Sequence, residues 1–185
     1  YQQRGLSMAD TKIFKEIALP LVLRYEGGYT NNPLDKGGAT NKGIIQTEYD
    51  RYRKEKNLVL QSVKLITDDE VRDIYLNKYW LAGKCDQISS SKIAVIHFDT
   101  CVNTGLKQAA KFLQRTVNVV DDGIIGEKTI ANVNKSEIMD VVNNYINQRR
   151  DFYQLIVKRN PTQQVFLKGW LNRVNNLQTT INTIC

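Results

Sequence analysis

The sequence contains one histidine, three cysteines and three prolines among its 185 residues. A Ser-His-Asp or Cys-His mechanism would therefore have to use His97, which lies in an apolar stretch typical of a packed helix. Cys85, Cys101 and Cys185 are odd in number and form no C-x-x-C pair. This pattern argues against a disulfide framework or a zinc site and favours buried, inert thiols.

Long apolar runs and phosphate-binding loops are also lacking. The longest apolar run, Ile17 to Leu23 around Pro20, is far shorter than the ~20 residues that a membrane-spanning helix needs. Gly37 and Gly38 lie in a loop, but the G-K-[ST] ending of a phosphate loop is missing. We therefore expect neither stable membrane insertion nor nucleotide chemistry.

Positive charge is in excess. Lys plus Arg number 26 and Asp plus Glu 19, which gives a net charge of +7. Such a surface suits an anionic partner, and nucleic acid, lipid headgroups and the acidic polymers of a bacterial cell wall all qualify. The densest basic cluster, within residues 50–56, is interleaved with acidic residues and indicates a solvated helix face.

The first residues do not resemble an export signal. Residues 1–7 lack an apolar segment followed by a small-residue cleavage site, and Met8 is a natural initiator. We interpret residues 1–7 as lying outside the natural start. Synthesis in the cytoplasm with an unidentified export or release route is the corresponding expectation.

Apolar residues recur at helical spacing through most of the chain, which predicts an all-α, mostly helical fold. Residues 27–46, rich in glycine, are expected to form a long loop or a small hairpin. Thr67 and Glu70 form a T-x-x-E capping box that predicts a helix start. Further helices are predicted over 13–25, 47–56, 93–102, 137–158 and 163–180.

Glu26 is the first candidate for chemistry, because the pattern places it on the last turn of an apolar helix. The helix dipole and apolar neighbours would both raise the pKa of this carboxyl, and a carboxyl that stays protonated near neutral pH can act as a general acid. Two alternatives stay open at this point. Glu26 could face solvent at the helix end, or Arg24 could pair with it and lower its pKa.

Asp35 follows Glu26 by nine residues, and Thr40 follows five residues later. A glycine-rich loop that folds back could place the Asp35 carboxylate across a cleft from Glu26. Two carboxylates facing one bond are what glycoside hydrolysis uses, one protonating the leaving oxygen and the other acting on water or on the sugar. The alternative role for Asp35 is that of a turn former before glycines.

One segment carries three short motifs in succession: Glu26-Gly27-Gly28-Tyr29, Asn32-Pro33 and Asp35-Lys36-Gly37-Gly38-Ala39-Thr40-Asn41-Lys42-Gly43-Ile44. Together they resemble the amino-terminal motif of glycoside hydrolase family 108. That family contains N-acetylmuramidases that are also described as secretion activators. The resemblance implies a lysozyme-like fold with Glu26 as catalytic acid. The family commonly has proline where this chain has Lys36. The spacing is also similar to that of phage-type lysozymes, which implies that Asp35 and Thr40 position the hydrolytic water, with inversion.

The resemblance continues downstream through Tyr79-Trp80, Phe98-Asp99 and Val102-Asn103-Thr104-Gly105. Trp80 is expected either to stack on a sugar or to lie in the core. Asn103 is expected either to bind the substrate's acetamido or peptide groups or to cap a helix.

Residues 113–129 resemble the D-G-x-x-G-x-x-T signature of small helical peptidoglycan-binding modules, and Phe166 to Arg173 resembles the family's closing helix. Gly123 and Asp122 would form a tight reversal between two helices. We expect a catalytic part at 8–104 and a peptidoglycan-binding-like part at 105–185, packed as one unit.

The resemblance implies an N-acetylmuramidase that cleaves the β-1,4 link between N-acetylmuramic acid and N-acetylglucosamine, without a metal or organic cofactor. Its partner would be the glycan strands of peptidoglycan, and its place of action the periplasm or cell wall. Candidate substrate contacts are Tyr29, Asn41, Trp80 and Asn103.

Three alternatives remain. A lytic transglycosylase would use one carboxyl and leave an anhydro-sugar end. A non-enzymatic wall-binding or secretion-assisting protein would not need Glu26. Nucleic-acid binding rests on charge alone.

Overall fold

A computed structural model describes residues 8–31 and 38–184, with side chains described from residue 11 onward. Nearly all regular structure in these residues is helical, which confirms the all-α prediction. The α-helices are α1 (Met8–Ile13), α2 (Leu19–Leu23), α3 (Gln46–Glu55), α4 (Asp68–Tyr75), α5 (Ser91–Thr104), α6 (Leu106–Thr116), α7 (Glu127–Lys135), α8 (Ile138–Arg159) and α9 (Gln164–Thr183). Two short antiparallel strands, β1 (Thr40–Asn41) and β2 (Ile44–Ile45), form the small hairpin expected within 27–46.

The helical backbone continues through Pro20. A π-helical segment, Phe14–Ala18, joins α1 to α2, and Pro20 is the second residue of α2. The helix ends at Leu23 with Arg24 as its C-cap. Glu26 therefore lies just beyond the helix rather than on its last turn, which corrects the sequence-based placement.

The capping box before α4 is confirmed. The Thr67 hydroxyl accepts a hydrogen bond from the backbone N–H of Glu70 at 3.2 Å, and the Glu70 carboxylate accepts one from the backbone N–H of Thr67 at 3.0 Å. The helix then continues as a π-helical segment, Leu76–Leu81. The capping box thus sets the start of α4, the helix that places Tyr75 next to the hairpin.

Helix α5 runs through the centre of the core, and residues 93–101 are all buried. His97 is a packed helical histidine, as predicted: Nδ1 lies 2.8 Å from the Tyr145 hydroxyl and Nε2 lies 3.0 Å from the Gly83 carbonyl oxygen. Cys85 and Cys101 are buried and free, as predicted, whereas Cys185 lies outside the described residues.

Trp80 also belongs to the core. Its side chain is 1% exposed, and its ring lies 5.4 Å from that of Phe14 and 5.6 Å from that of Phe98 between centroids. A ring enclosed in this way has no free face for a sugar. The prediction of a sugar contact at Trp80 is therefore wrong, and its core alternative holds.

The turn between α6 and α7 is built around Gln114, which is buried. Its amide donates to Asp122 Oδ1 at 2.8 Å and its side-chain oxygen accepts from the Gly123 backbone N–H at 2.9 Å. Asp122 in turn accepts from the Ile124 N–H at 2.8 Å, and Gly123 has a φ of +81°. The expected structural role of this glycine motif is thereby explained by named hydrogen bonds.

The N-terminal and C-terminal parts are packed against each other through α5, which contacts α6, α8 and α9 on one side and α1 and α2 on the other. Within the described ranges, the helices are each too short or too polar to cross a lipid bilayer.

Candidate active site

Glu26 begins a segment that is held against the β-hairpin by backbone hydrogen bonds. The backbone N–H of Lys42 donates to the Gly27 carbonyl at 3.0 Å, and Thr30 and Thr40 exchange two backbone hydrogen bonds of 2.8 Å. The hairpin therefore lies beside the Glu-Gly-Gly-Tyr motif. A Cβ on Gly27 or Gly28 would meet no atom of the described residues within 4 Å, so on the side of these residues the backbone next to Glu26 is open to an approaching ligand.

The turn of the hairpin approaches the Glu26 carboxyl closely. Lys42 and Gly43 have φ angles of +50° and +77°, the left-handed pair that a two-residue hairpin turn requires. A Cβ on Gly43 would lie 2.6 Å from Glu26 Oε2 and 2.5 Å from the Tyr75 hydroxyl. Glycine is needed here both for the backbone conformation and for the space that the carboxyl occupies.

Tyr75 completes this side of the site. Its hydroxyl donates to the Lys42 carbonyl at 2.8 Å, which ties α4 to the turn of the hairpin. Burial, followed by the nearby charge of Glu26, raises the pKa of Tyr75 well above its ordinary value. The phenol therefore stays protonated and serves as a fixed wall beside the carboxyl.

A chain of alternating charges lies on the other side of Glu26. Arg173 Nη1 of α9 lies 3.8 Å from Glu26 Oε1, and Arg173 Nη2 lies 3.0 Å from Asp99 Oδ1. Asp99 in α5 also accepts a hydrogen bond of 2.6 Å from Arg149 Nη1 in α8. Asp99, Arg149 and Arg173 are all buried, so each charge depends on its partners for compensation.

The Glu26 side chain is 23% exposed, and its pKa is raised from the ordinary value. Desolvation by burial is the main cause, the charge of Arg173 acts against it, and the charge of Asp99 adds to it. A raised pKa for Glu26 was expected from the sequence, but the residue whose positive charge opposes it was not. The guanidinium within ion-pair distance is that of Arg173, from the far end of the chain, and Arg24 is exposed.

The candidate substrate contacts have different surroundings. Tyr29 is exposed, with Lys64 Nζ 5.5 Å from its ring centroid. Asn41 is buried, and its amide donates to the Val63 carbonyl at 3.1 Å, so in this arrangement it fixes the hairpin to the following turn. Asn103 is half-buried at the end of α5 and accepts hydrogen bonds from Tyr153 and Arg149.

The second carboxylate of the sequence-based hypothesis, Asp35, lies outside the described residues, as does Lys36. Thr40 is half-buried in β1, where its backbone pairs with both Thr30 and Ile45. The expected roles of Asp35 and Thr40 in positioning the hydrolytic water therefore stay predictions.

Sequence reasoning missed most of the residues that surround Glu26. Arg149 belonged to no motif, and Tyr75 was predicted only to lie in the helix that follows the capping box. Gly43, Asp99 and Arg173 appeared within quoted motifs without a role. A local signal exists only for Gly43, whose Asn-Lys-Gly context between short β-branched segments is typical of a hairpin turn.

Comparison with known proteins is consistent with this geometry. The profile of the family Glycosyl hydrolase 108 matches residues 19–105, and that of a family described as "Predicted Peptidoglycan domain" matches residues 108–175. The structure of Brucella abortus SagA aligns with a TM-score of 0.69 and 32% identity, covering 89% of this chain and 91% of SagA. No curated protein matches the sequence significantly.

The two profile matches follow each other along the chain, and the charge chain from Glu26 through Arg173 and Asp99 to Arg149 uses residues of both. The site is thus shared between a glycosidase part and a peptidoglycan-binding part. The chain belongs to glycosyl hydrolase family 108 and is a peptidoglycan-acting glycoside hydrolase.

Proposed function

We propose that the protein is an N-acetylmuramidase that hydrolyses the β-1,4 bond between N-acetylmuramic acid and N-acetylglucosamine, with Glu26 as general acid. The observation that carries this proposal is the Glu26 carboxyl itself. It is partly exposed, its pKa is raised by burial, and open glycine backbone follows it. These properties suit a proton donor to a bulky polymeric substrate.

In the proposed reaction, the protonated Glu26 carboxyl donates its proton to the glycosidic oxygen, which leaves with the N-acetylglucosamine unit. The bond from that oxygen to C1 of N-acetylmuramic acid breaks, and a water oxygen bonds to C1. The water proton passes to a base, for which Asp35 is our candidate with Thr40 holding the water. Glu26 is left ionised and regains a proton from solvent.

Arg173 serves this cycle by its position. Once Glu26 has given up its proton, the carboxylate lies 3.8 Å from a guanidinium that favours the charged form. Burial opposes this effect and returns the carboxyl to the protonated state before the next turnover. The balance between the two sets the pH range in which the acid works.

Substrate contacts are proposed at the exposed Tyr29 and at Asn103. The side-chain oxygen of Asn103 is engaged by Tyr153 and Arg149, which leaves its NH2 group to donate to an acetamido carbonyl. Asn41 is proposed to shape this region through the hairpin. The net charge of +7 would concentrate the enzyme on an anionic wall in the periplasm or cell wall, and added salt would weaken that attraction.

The test is digestion of purified peptidoglycan by the wild-type protein and by Glu26→Gln, with mass spectrometry of the soluble fragments. We expect new reducing N-acetylmuramic acid ends, and a fall of about 10²- to 10⁴-fold in rate for the variant. Glu16→Gln, an exposed glutamate near the same helix, is the matched control and should retain full rate.

Three results would contradict the proposal. Anhydro-sugar ends would identify a lytic transglycosylase instead of a hydrolase. Undiminished digestion by Glu26→Gln would remove the general-acid role, and absence of digestion by the wild-type protein would favour wall binding without catalysis.

A further inference from the structure

Three aromatic side chains form a stack at the junction of α8 and α9. The ring of Tyr153 lies 5.3 Å from that of Trp170 at an interplanar angle of 25°, and the ring of Trp170 lies 5.9 Å from that of Phe166 at 31°. Tyr153 is buried, Trp170 is half-buried and Phe166 is 53% exposed. The stack thus runs from the core to solvent and ends in an uncovered aromatic face.

This stack is physically continuous with the candidate active site. Its buried end, Tyr153, bonds through its hydroxyl to Asn103 and accepts from Arg149 Nη2 at 2.9 Å. On α9, Phe166, Trp170 and Arg173 follow the i, i+4, i+7 spacing that places side chains on one helix face. Arg173 at the end of this row is the residue that lies beside Glu26.

The dimensions suit a polymeric ligand. Seven residues of α-helix separate Phe166 from Arg173, which corresponds to about 10 Å along the axis. Because Arg173 lies beside Glu26, this spacing places Phe166 within reach of a short oligosaccharide bound at Glu26. Phe166 also lies inside the 108–175 segment that matches a peptidoglycan domain, which supports this ligand over an unrelated protein partner.

The chemistry of the stack fits a hexosamine ring. The C–H-rich face of a β-linked pyranose is apolar and packs on an aromatic ring, and burial of such surfaces is favourable. The NH2 group of Asn103 lies at the other end of the stack, next to Tyr153, and has no hydrogen-bond partner among the described residues. It offers a polar partner to the N-acetyl carbonyl of a different sugar unit, nearer to Glu26.

We propose that Phe166 and Trp170 form a saccharide subsite that binds a hexosamine ring of the glycan strand away from the scissile bond. This inference rests on the proposed function, because it takes the strand bound at Glu26 as its ligand. With this subsite, longer glycan fragments bind more tightly than they would through the bond-cleaving region alone.

The test uses the full-length protein carrying Glu26→Gln, so that binding is measured without hydrolysis. The probe is a long soluble N-acetylglucosamine oligomer, titrated by calorimetry. Adding Phe166→Ala should weaken binding about 2- to 10-fold, and Phe166→Tyr, which keeps the ring, should restore it. Val165→Ala, a 76% exposed neighbour, is the control and should leave affinity unchanged.

Equal affinity of the Phe166→Ala and Val165→Ala proteins, with unaltered melting temperatures, would overturn the subsite. In the catalytically intact protein, Phe166→Ala should raise KM for long glycan fragments and leave kcat unchanged. A protein that binds oligomers through Phe166 but fails to cleave peptidoglycan would refute the proposed reaction and retain the subsite. Normal cleavage of peptidoglycan, together with unchanged oligomer binding in the Phe166→Ala protein, would refute the subsite and retain the proposed reaction.

Discussion

Arg173 Nη1 in the last helix lies 3.8 Å from Glu26 Oε1 near the start of the described chain. The guanidinium is itself held by the buried carboxylate of Asp99 in the central helix. Burial is the main cause of the raised pKa of the candidate general acid, and the effect that opposes it comes from a residue in the part of the chain that matches a peptidoglycan domain. The two parts could not be separated without changing the acid.

Replacing Arg173 should shift the pH dependence of activity. Arg173 stabilises ionised Glu26, and Asp99 disfavours it, so Arg173→Gln removes the first effect and leaves the second uncompensated. The pKa of Glu26 should rise, and the acid should stay protonated to higher pH. We expect the alkaline limb of kcat/KM against pH to move upward.

Arg173→Lys keeps a cation near Glu26 and is the control. The alkaline limb of its kcat/KM profile should lie close to that of the wild-type protein. A purely structural role for Arg173 would lower activity at every pH without moving the limb. An alkaline limb at the same pH in the Gln variant would contradict the proposed control of Glu26.

Glu26→Gln should stabilise the protein at neutral pH. Because burial raises the pKa of Glu26, the folded state prefers the protonated carboxyl and loses stability as pH rises through its unfolded pKa toward the folded one. Glutamine does not titrate and avoids this loss. The melting temperature of the variant should exceed that of the wild-type protein at neutral pH, and each kcal/mol corresponds to about 2–4 °C.

The difference should shrink as the pH falls from the raised pKa of folded Glu26 toward 4.5, the ordinary value for this carboxyl, and should be absent below it. Differential scanning fluorimetry across that range measures it. A difference that is constant with pH would show that Glu26 ionisation is not its source.

Gly43→Ala should destabilise the hairpin and displace the acid. The added Cβ would meet Glu26 Oε2 at 2.6 Å and the Tyr75 hydroxyl at 2.5 Å, in a backbone conformation with φ of +77°. We expect a loss of about 1–3 kcal/mol in the free energy of unfolding and a fall in activity. Gly28→Ala, whose Cβ meets nothing within 4 Å, is the stability control in denaturant titrations. Equal unfolding curves for the two variants would contradict the close approach.

Arg149→Met should destabilise the core strongly. Burial would raise the pKa of Asp99, but the charges of Arg149 and Arg173 outweigh it and hold the pKa below the ordinary value. Without Arg149, the buried Asp99 loses its 2.6 Å partner, and removal of one member of a buried pair costs about 3–5 kcal/mol.

The surface pair of Arg115 and Asp121 offers the matched comparison, because both side chains are more than 40% exposed. Arg115→Met should cost at most about 1 kcal/mol. Similar losses of unfolding free energy for Arg115→Met and Arg149→Met in urea titrations would argue against a strong contribution from the buried pair of Arg149 and Asp99.

The positions that sequence analysis predicted well are those where the cause is local. The capping box of Thr67 and Glu70 needs only residues within one turn. The glycine-rich composition of residues 27–46 predicted a long loop or small hairpin, although not that its turn lies at Lys42 and Gly43. Helical periodicity likewise depends on spacing along the chain. The family resemblance then named Glu26, because the Glu-Gly-Gly-Tyr motif is contiguous.

The sugar-contact alternative for Trp80 and the helix position of Glu26 were wrong because packing decided them. A tryptophan beside leucines can face either way, and only the contacts with Phe14 and Phe98 show that it is enclosed. The helix ended at Leu23 rather than continuing to Glu26. Beyond the helix end, the backbone pairs with the hairpin instead, through the Gly27 carbonyl and through Thr30.

The sequence by itself determined the helical architecture and the capping box, and it named Glu26 as the candidate acid, because each follows from side chains adjacent on one segment. Only the tertiary structure decided which charges surround that acid. Arg173 lies 147 positions from Glu26, with Asp99 between them in the chain. Charges act through space and gain strength where water is excluded, so their pairing is fixed by packing around α5 rather than by any local pattern.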